Sequence, residues 1–152
     1  MIFSSLFKKK PNWQHQDSTL RITAINNELQ LDDDAHLDIL VTMISSDDSD
    51  LVRRAALIKL HDFEVFVQAS NNNSSDKVRS FAVKQIENIL VGLHAITLTL
   101  EQKQKFLSTG NTSLSLLEHC ISHEQDSDMI IALFEQINSR KTTHGNAHKK
   151  SN

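Results

Sequence analysis

Apolar residues along this chain fall at spacings of three and four, and strict alternation is nearly absent, so helix is the expected state over most of its length. The stretch from Asp48 to Leu60 shows the pattern at its fullest. Leu51, Val52, Ala55, Ala56, Leu57, Ile58 and Leu60 leave only Arg53, Arg54 and Lys59 clearly polar. A helix so broadly apolar is expected to be covered on more than one side, as the central member of a stack is.

That stretch is also one copy of a recurring pattern: an acidic or hydroxyl residue, then Leu or Val, then Arg, then Ala three positions on. It occurs around Asp17, Leu20, Arg21 and Ala24, around Asp50, Val52, Arg53 and Ala56, and around Ser75, Val78, Arg79 and Ala82. The Asp or Ser suits the free N–H groups and positive dipole end of a helix start. The Leu/Val and Ala share a face, and the small Ala lets a neighbouring helix approach closely. The intervals are uneven and shorter than the period of about 40 residues usual for HEAT units, so the repeat is degenerate. The expectation is an all-α, HEAT-like α-α superhelix of three or four irregular hairpins, with Leu20/Ala24, Val52/Ala56 and Val78/Ala82 as equivalent parts.

Taken in order, residues 1–11 read as an N-terminal capping helix, apolar at 2, 3, 6 and 7, with a basic turn Lys8-Lys9-Lys10 stopped by Pro11. Its positive charge follows the apolar core, the reverse of a signal peptide. Residues 12–139 form the repeat domain, with clear repeats over 12–92 and diverged helices over 93–139. Trp13 is placed where the cap meets a helix from about Ser18 to Leu29. Asp32-Asp33-Asp34 opens a second helix with the stripe Leu37, Leu40, Val41 and Ile44. Asp62 caps a short helix that turns Phe63, Phe66 and Val67 inward, and 71–75 is a polar connector. A helix from about Asp76 to Val91 ends at Gly92. After an extended piece from Leu93 to Leu98, Thr99 and Gln102 have capping-box spacing for a helix closing at Gly110. Two further helices carry Leu114, Leu117 and Ile121, then Met129, Leu133, Phe134 and Ile137. Residues 140–152 are polar and Lys/His-rich, and read as a disordered tail.

Composition narrows the function. A chain of 152 residues with formal charge −3 has no general pull toward a polyanion. The single Cys120 forms no internal disulfide, which fits a reducing compartment or a chain indifferent to redox; a cytoplasmic setting is expected, where the Asn-x-Ser triplets of 71–75 carry no sugar. No apolar run spans a bilayer. Residues 2–10 combine an apolar face with lysines, so peripheral membrane contact stands beside the capping role.

Catalytic signals are absent: no Gly-rich phosphate loop, and no Ser in a strand-to-helix elbow. His119, Cys120 and His123 have the spacing of a zinc half-site, yet Cys120 falls on the apolar side with Leu116 and Leu117. His144 and His148 repeat the spacing in the tail. Asp32-Asp33-Asp34 lacks the Gly and later Glu of a calcium loop. No cofactor and no metal is expected, and the chain reads as a non-enzymatic scaffold for an unidentified protein partner. The residues singled out are Arg21, Arg53 and Arg79, which would align in a stack, with Arg54, Lys59 and Lys84 nearby. As a tie, each Arg bonds a carboxylate or loop carbonyl of its own or the next repeat. As a binding surface, the column forms a basic groove for nucleic acid or an acidic peptide.

The opening Met1-Ile2-Phe3 with Leu6-Phe7-Lys8, then Asn12-Trp13 and His15 leading to Leu20-Arg21, and above all the run from Asp50 to Leu60, resemble the N-terminal region of large bacterial proteins catalogued as domain of unknown function 349. The likeness extends to about Asn138. It implies the HEAT-like solenoid start of a longer, mostly helical bacterial cytoplasmic protein, with no established activity to carry over. The longer helical segments that follow in such proteins are not in this chain, and their namesake domain is not assigned to it.

Overall fold

The computed structural model describes residues 9–109 and 112–149, so the expected capping helix and the membrane-contact segment lie almost wholly outside the described residues. The fold is all-α. After a 3-10 turn at Asn12–Gln14 come α1 (Ser18–Asn27), α2 (Asp34–Ser46), α3 (Asp50–Leu60), α4 (Phe63–Asn72), α5 (Asp76–Leu90), α6 (Leu100–Ser108), α7 (Leu114–His123) and α8 (Ser127–Lys149). None of the described residues forms a strand. The chain divides into two compact units, 1–84 and 85–152, with the division inside α5.

Caps explain where the helices begin. Asp17, Asp33, Ser49, Asp62, Thr99 and Ser113 each accept an N–H of the first turn they precede. Thr99 and Gln102 form the full reciprocal box. Gly92, at φ 78°, terminates α5: Leu93 N–H reaches the Asn88 carbonyl at 2.8 Å and Gly92 N–H the Ile89 carbonyl at 3.2 Å.

In the first unit α3 packs against both α1 and α2. Ala24, Ile25, Leu29, Leu40, Val52, Ala56, Leu57, Val78 and Ala82 have no exposed surface there, and Phe66 is almost fully covered. The alanines at 24, 56 and 82 hold equivalent, fully buried places. Leu20 departs from the pattern: it is 39% exposed, whereas Val52 and Val78 are sealed.

Other expectations of burial also need correction. Leu51 and Ile58 are exposed, because α3 packs through the stripe Val52, Ala56 and Leu57 and leaves its opposite stripe open. Val41 is exposed, and Met43 takes the place it was expected to hold beside Leu40 and Ile44. Trp13 is half-buried, its ring 5.9 Å from that of His36.

In the second unit α8 packs against α7 and α6. Leu107, Leu117, Cys120, Met129, Leu133 and Ile137 form its core with Ile86, Ile89, Leu90 and Leu98. Phe134, expected on the inward stripe, is exposed. The helix of α8 continues to Lys149, past the Arg140 boundary where composition suggested loss of order. Thr142 and Thr143 hydroxyls bond the carbonyls one turn back, and Arg140 Nη2 holds the buried Thr112 hydroxyl at 2.8 Å.

Candidate functional site

Arg21, Arg53 and Arg79 occupy the same position in α1, α3 and α5, four residues after the capping Asp17, Ser49 and Ser75. Each guanidinium reaches back to the backbone carbonyl six residues upstream: Arg21 to His15 at 2.7 Å, Arg53 to Asp47 at 2.6 Å, and Arg79 to Asn73. The acceptor residue is itself repeated. His15, Asp47 and Asn73 each take the N–H two residues ahead, at 3.0, 2.9 and 3.1 Å, which fixes the turn into the helix.

In Asp47 and Asn73 the side chain of that turn residue also serves the helix two before it. Arg21 grips Asp47 with both edges of a fork, Nε to Oδ2 at 3.0 Å and Nη2 to Oδ1 at 2.9 Å, and Nη2 also meets Asp48 at 2.8 Å. Nη1 fills its remaining capacity with the His15 and Gln16 carbonyls. One helix later, Arg53 Nη1 donates to Asn73 Oδ1 at 2.9 Å and to the Ser74 hydroxyl at 2.8 Å. Asn73, itself buried, sends its amide N–H to the Ile44 carbonyl at 2.7 Å. Arg79 pairs with Asp76 on its own helix. The result is a chain of two rungs, Arg21 to Asp47 and Arg53 to Asn73, in which Asp47 and Asn73 are each held by the helix they open and by the helix two before it.

The first rung is well buried. The side chains of Arg21 and Asp47 are each 9% exposed. The Arg21 guanidinium is held above its ordinary pKa, first by its hydrogen bond to Asp47 and, against the cost of burial, by the nearby charges of Asp47 and Asp48. It stays charged, with all five N–H groups engaged.

The second unit repeats one rung with different chemistry. Lys103 stands four residues after the cap Thr99, and its Nζ meets Glu124 Oε2 at 3.5 Å. Glu124 stands two residues before the cap Asp126 and accepts that residue's N–H at 3.0 Å. Next in register would come Ile130, which carries no donor to continue the ladder.

The other singled-out cations are placed as follows. Arg54 lies with its guanidinium carbon 5.3 Å from the Phe81 ring centroid and Nη2 3.4 Å from the Lys77 carbonyl. Lys59 donates to the Asn26 carbonyl at 3.0 Å. Lys84 is exposed on α5. The acceptors Asp47, Asn73 and Glu124 escaped the sequence reading, although each stands two residues before a cap, a signal that a search starting from caps would find.

His119, Cys120 and His123 do not converge. Burial pushes the Cys120 thiol up to about 11, so it stays protonated near neutrality. His123 Nδ1 lies 3.0 Å from the His119 carbonyl, and the two rings lie 4.6 Å apart. Among the described residues no cluster of three His, Cys, Asp or Glu is arranged to hold a metal, and no helix is long and apolar enough to cross a membrane. The side chains of His144 and His148 lie outside the described set. No protein-family model matches the chain, and no curated protein or solved structure is significantly similar to it.

Proposed function

We propose that this chain is a non-enzymatic, HEAT-like helical-repeat scaffold that presents one surface to a protein partner. The observation that carries the reading is the ladder. Arg21 and Arg53 spend guanidinium N–H groups on the turns that open α3 and α5, which ties α1 to the start of α3 and α3 to the start of α5, and Leu51 and Ile58 of α3 stay open. A rigid series of aligned helices is what repeat proteins use as a binding platform. The nucleic-acid alternative gains little from the same geometry, because all five Arg21 donors are already committed within the protein.

On this reading the chain acts as an α-α superhelix in the bacterial cytoplasm, as the N-terminal part of a larger protein of the kind it resembles. The test is affinity capture from a bacterial lysate with crosslinking, run beside titrations of labelled duplex and single-stranded DNA at two salt concentrations. Specific protein capture with no DNA binding at low salt is the expected result. DNA affinity that falls steeply with salt, without a captured protein, would overturn the scaffold reading.

A further inference from the structure

We propose that the face built by α1, α3 and the first part of α5 receives an acidic amphipathic helix of another protein, anchored by Leu51 and Ile58 with a carboxylate on Arg54. This rests on the scaffold reading and names the partner's chemistry. Leu51 and Ile58 are 61% and 56% exposed and lie on one stripe of α3, on either side of Arg54 and Ala55. They give an incoming amphipathic helix two apolar contacts two turns apart.

Arg54 adds the second observation. Its Nε is buried without a hydrogen-bond partner, and its Nη2 reaches the Lys77 carbonyl only at 3.4 Å. Stacking on Phe81 nonetheless holds the guanidinium plane in place. The enclosed Nε takes no part in docking; the terminal guanidinium nitrogens, holding only that long bond and positioned beside two apolar anchors, suit an incoming carboxylate.

Charge is segregated to match. Beyond the ladder arginines, α3 and α5 up to Lys84 carry Arg54, Lys59, Lys77 and Lys84, with Lys59 bonded to the Asn26 carbonyl, against Asp50, the Arg79-paired Asp76 and the exposed Asp48 just before α3. By contrast α2 and α4 carry Asp34, Asp38 and Glu64 with no Lys or Arg. In a chain of net charge −3, cationic side chains are thus concentrated on α3 and the first part of α5, and the exposed Leu51 and Ile58 favour a peptide over a phosphate backbone.

The experiment titrates the full chain with fluorescein-labelled synthetic amphipathic helices bearing Leu anchors and Glu between them, beside matched peptides with Gln for Glu. Variants are Arg54→Gln, Leu51→Ser with Ile58→Ser, and Val41→Ser as a control on α2, each checked for helix content. The acidic peptides are expected to bind, with affinity lowered about tenfold or more in the first two variants and unchanged in the third. No binding by the acidic peptides, or binding indifferent to Arg54, Leu51 and Ile58, would overturn the proposal. So would DNA competing for the face, or a homodimer that the Leu51→Ser/Ile58→Ser variant dissociates. If that double variant still captures the lysate partner, the face is wrong and the scaffold reading survives. If no variant captures any protein, both fail.

Discussion

Arg21 and Asp47 stand twenty-six positions apart and meet through two parallel hydrogen bonds, 3.0 and 2.9 Å long, in a site that water scarcely reaches. The pair joins α1 to the turn that begins α3. Its value lies in what removal would leave behind, since a buried guanidinium without its carboxylate keeps the desolvation cost and loses the compensation. Asp47→Ala is therefore expected to destabilise the protein by about 3–5 kcal/mol. Chemical denaturation followed by circular dichroism checks this, and a loss under about 1 kcal/mol would mean that the fork contributes only as an exposed pair does.

Asn73 holds the corresponding place two residues before the cap of α5 but is not exchangeable with Asp47. Its amide N–H points at the Ile44 carbonyl while its oxygen faces Arg53 and the Ser75 amide. Asn73→Asp gives Arg53 a full counter-charge yet sets an oxygen against the buried Ile44 carbonyl. We expect Asn73→Asp to be destabilising by about 1–3 kcal/mol, despite the added ion pair. A melting temperature equal to or above wild type would show that charge outweighs the lost donor.

In the second unit Lys103 and Glu124 are 22% and 12% exposed and 3.5 Å apart, looser than the fork of the first unit. Lys103→Arg offers a planar two-point donor to the same carboxylate, and is expected to raise stability by about 0.5–1 kcal/mol. Lys103→Met should lower it by about 1 kcal/mol. Equilibrium unfolding of both variants tests the assignment, and identical midpoints for the two would reject Lys103 as a rung.

Cys120 supplies a pH signature. Its thiol titrates near 9.0 when unfolded and near 11 when buried in the fold. Below pH 9 both states hold the proton; between those values only the unfolded chain releases it. Stability should therefore fall as pH rises through this window, by up to roughly 2–3 kcal/mol. Cys120→Ala should lack that component. Native protein at pH 8 should also react with a thiol reagent far more slowly than unfolded protein, and fast native labelling would contradict the burial.

Much of the scaffold was legible because caps and spacing are local. Asp17, Asp62, Thr99 and Gly92 announce helix ends through atoms a few residues away, and the Arg positions follow from periodicity. The rungs were not legible as pairs. Whether Arg21 meets Asp47 depends on how one hairpin returns past another, and the second-unit rung uses Lys103 and Glu124, which an eye trained on Arg passes over. Periodicity also mistook Val41, Leu51, Ile58 and Phe134 for core. An apolar stripe records a residue's chemistry and leaves open whether another element covers it; in these four places none within its own unit does so fully.

The rungs close loops of 26, 20 and 21 residues, all short in sequence. Each can form as soon as its own hairpin has emerged, without waiting for distant parts of the chain. Synthesis and folding can thus proceed in step, each new turn clasped by the helix made two before it, so that little apolar surface is ever left waiting for a late-arriving neighbour.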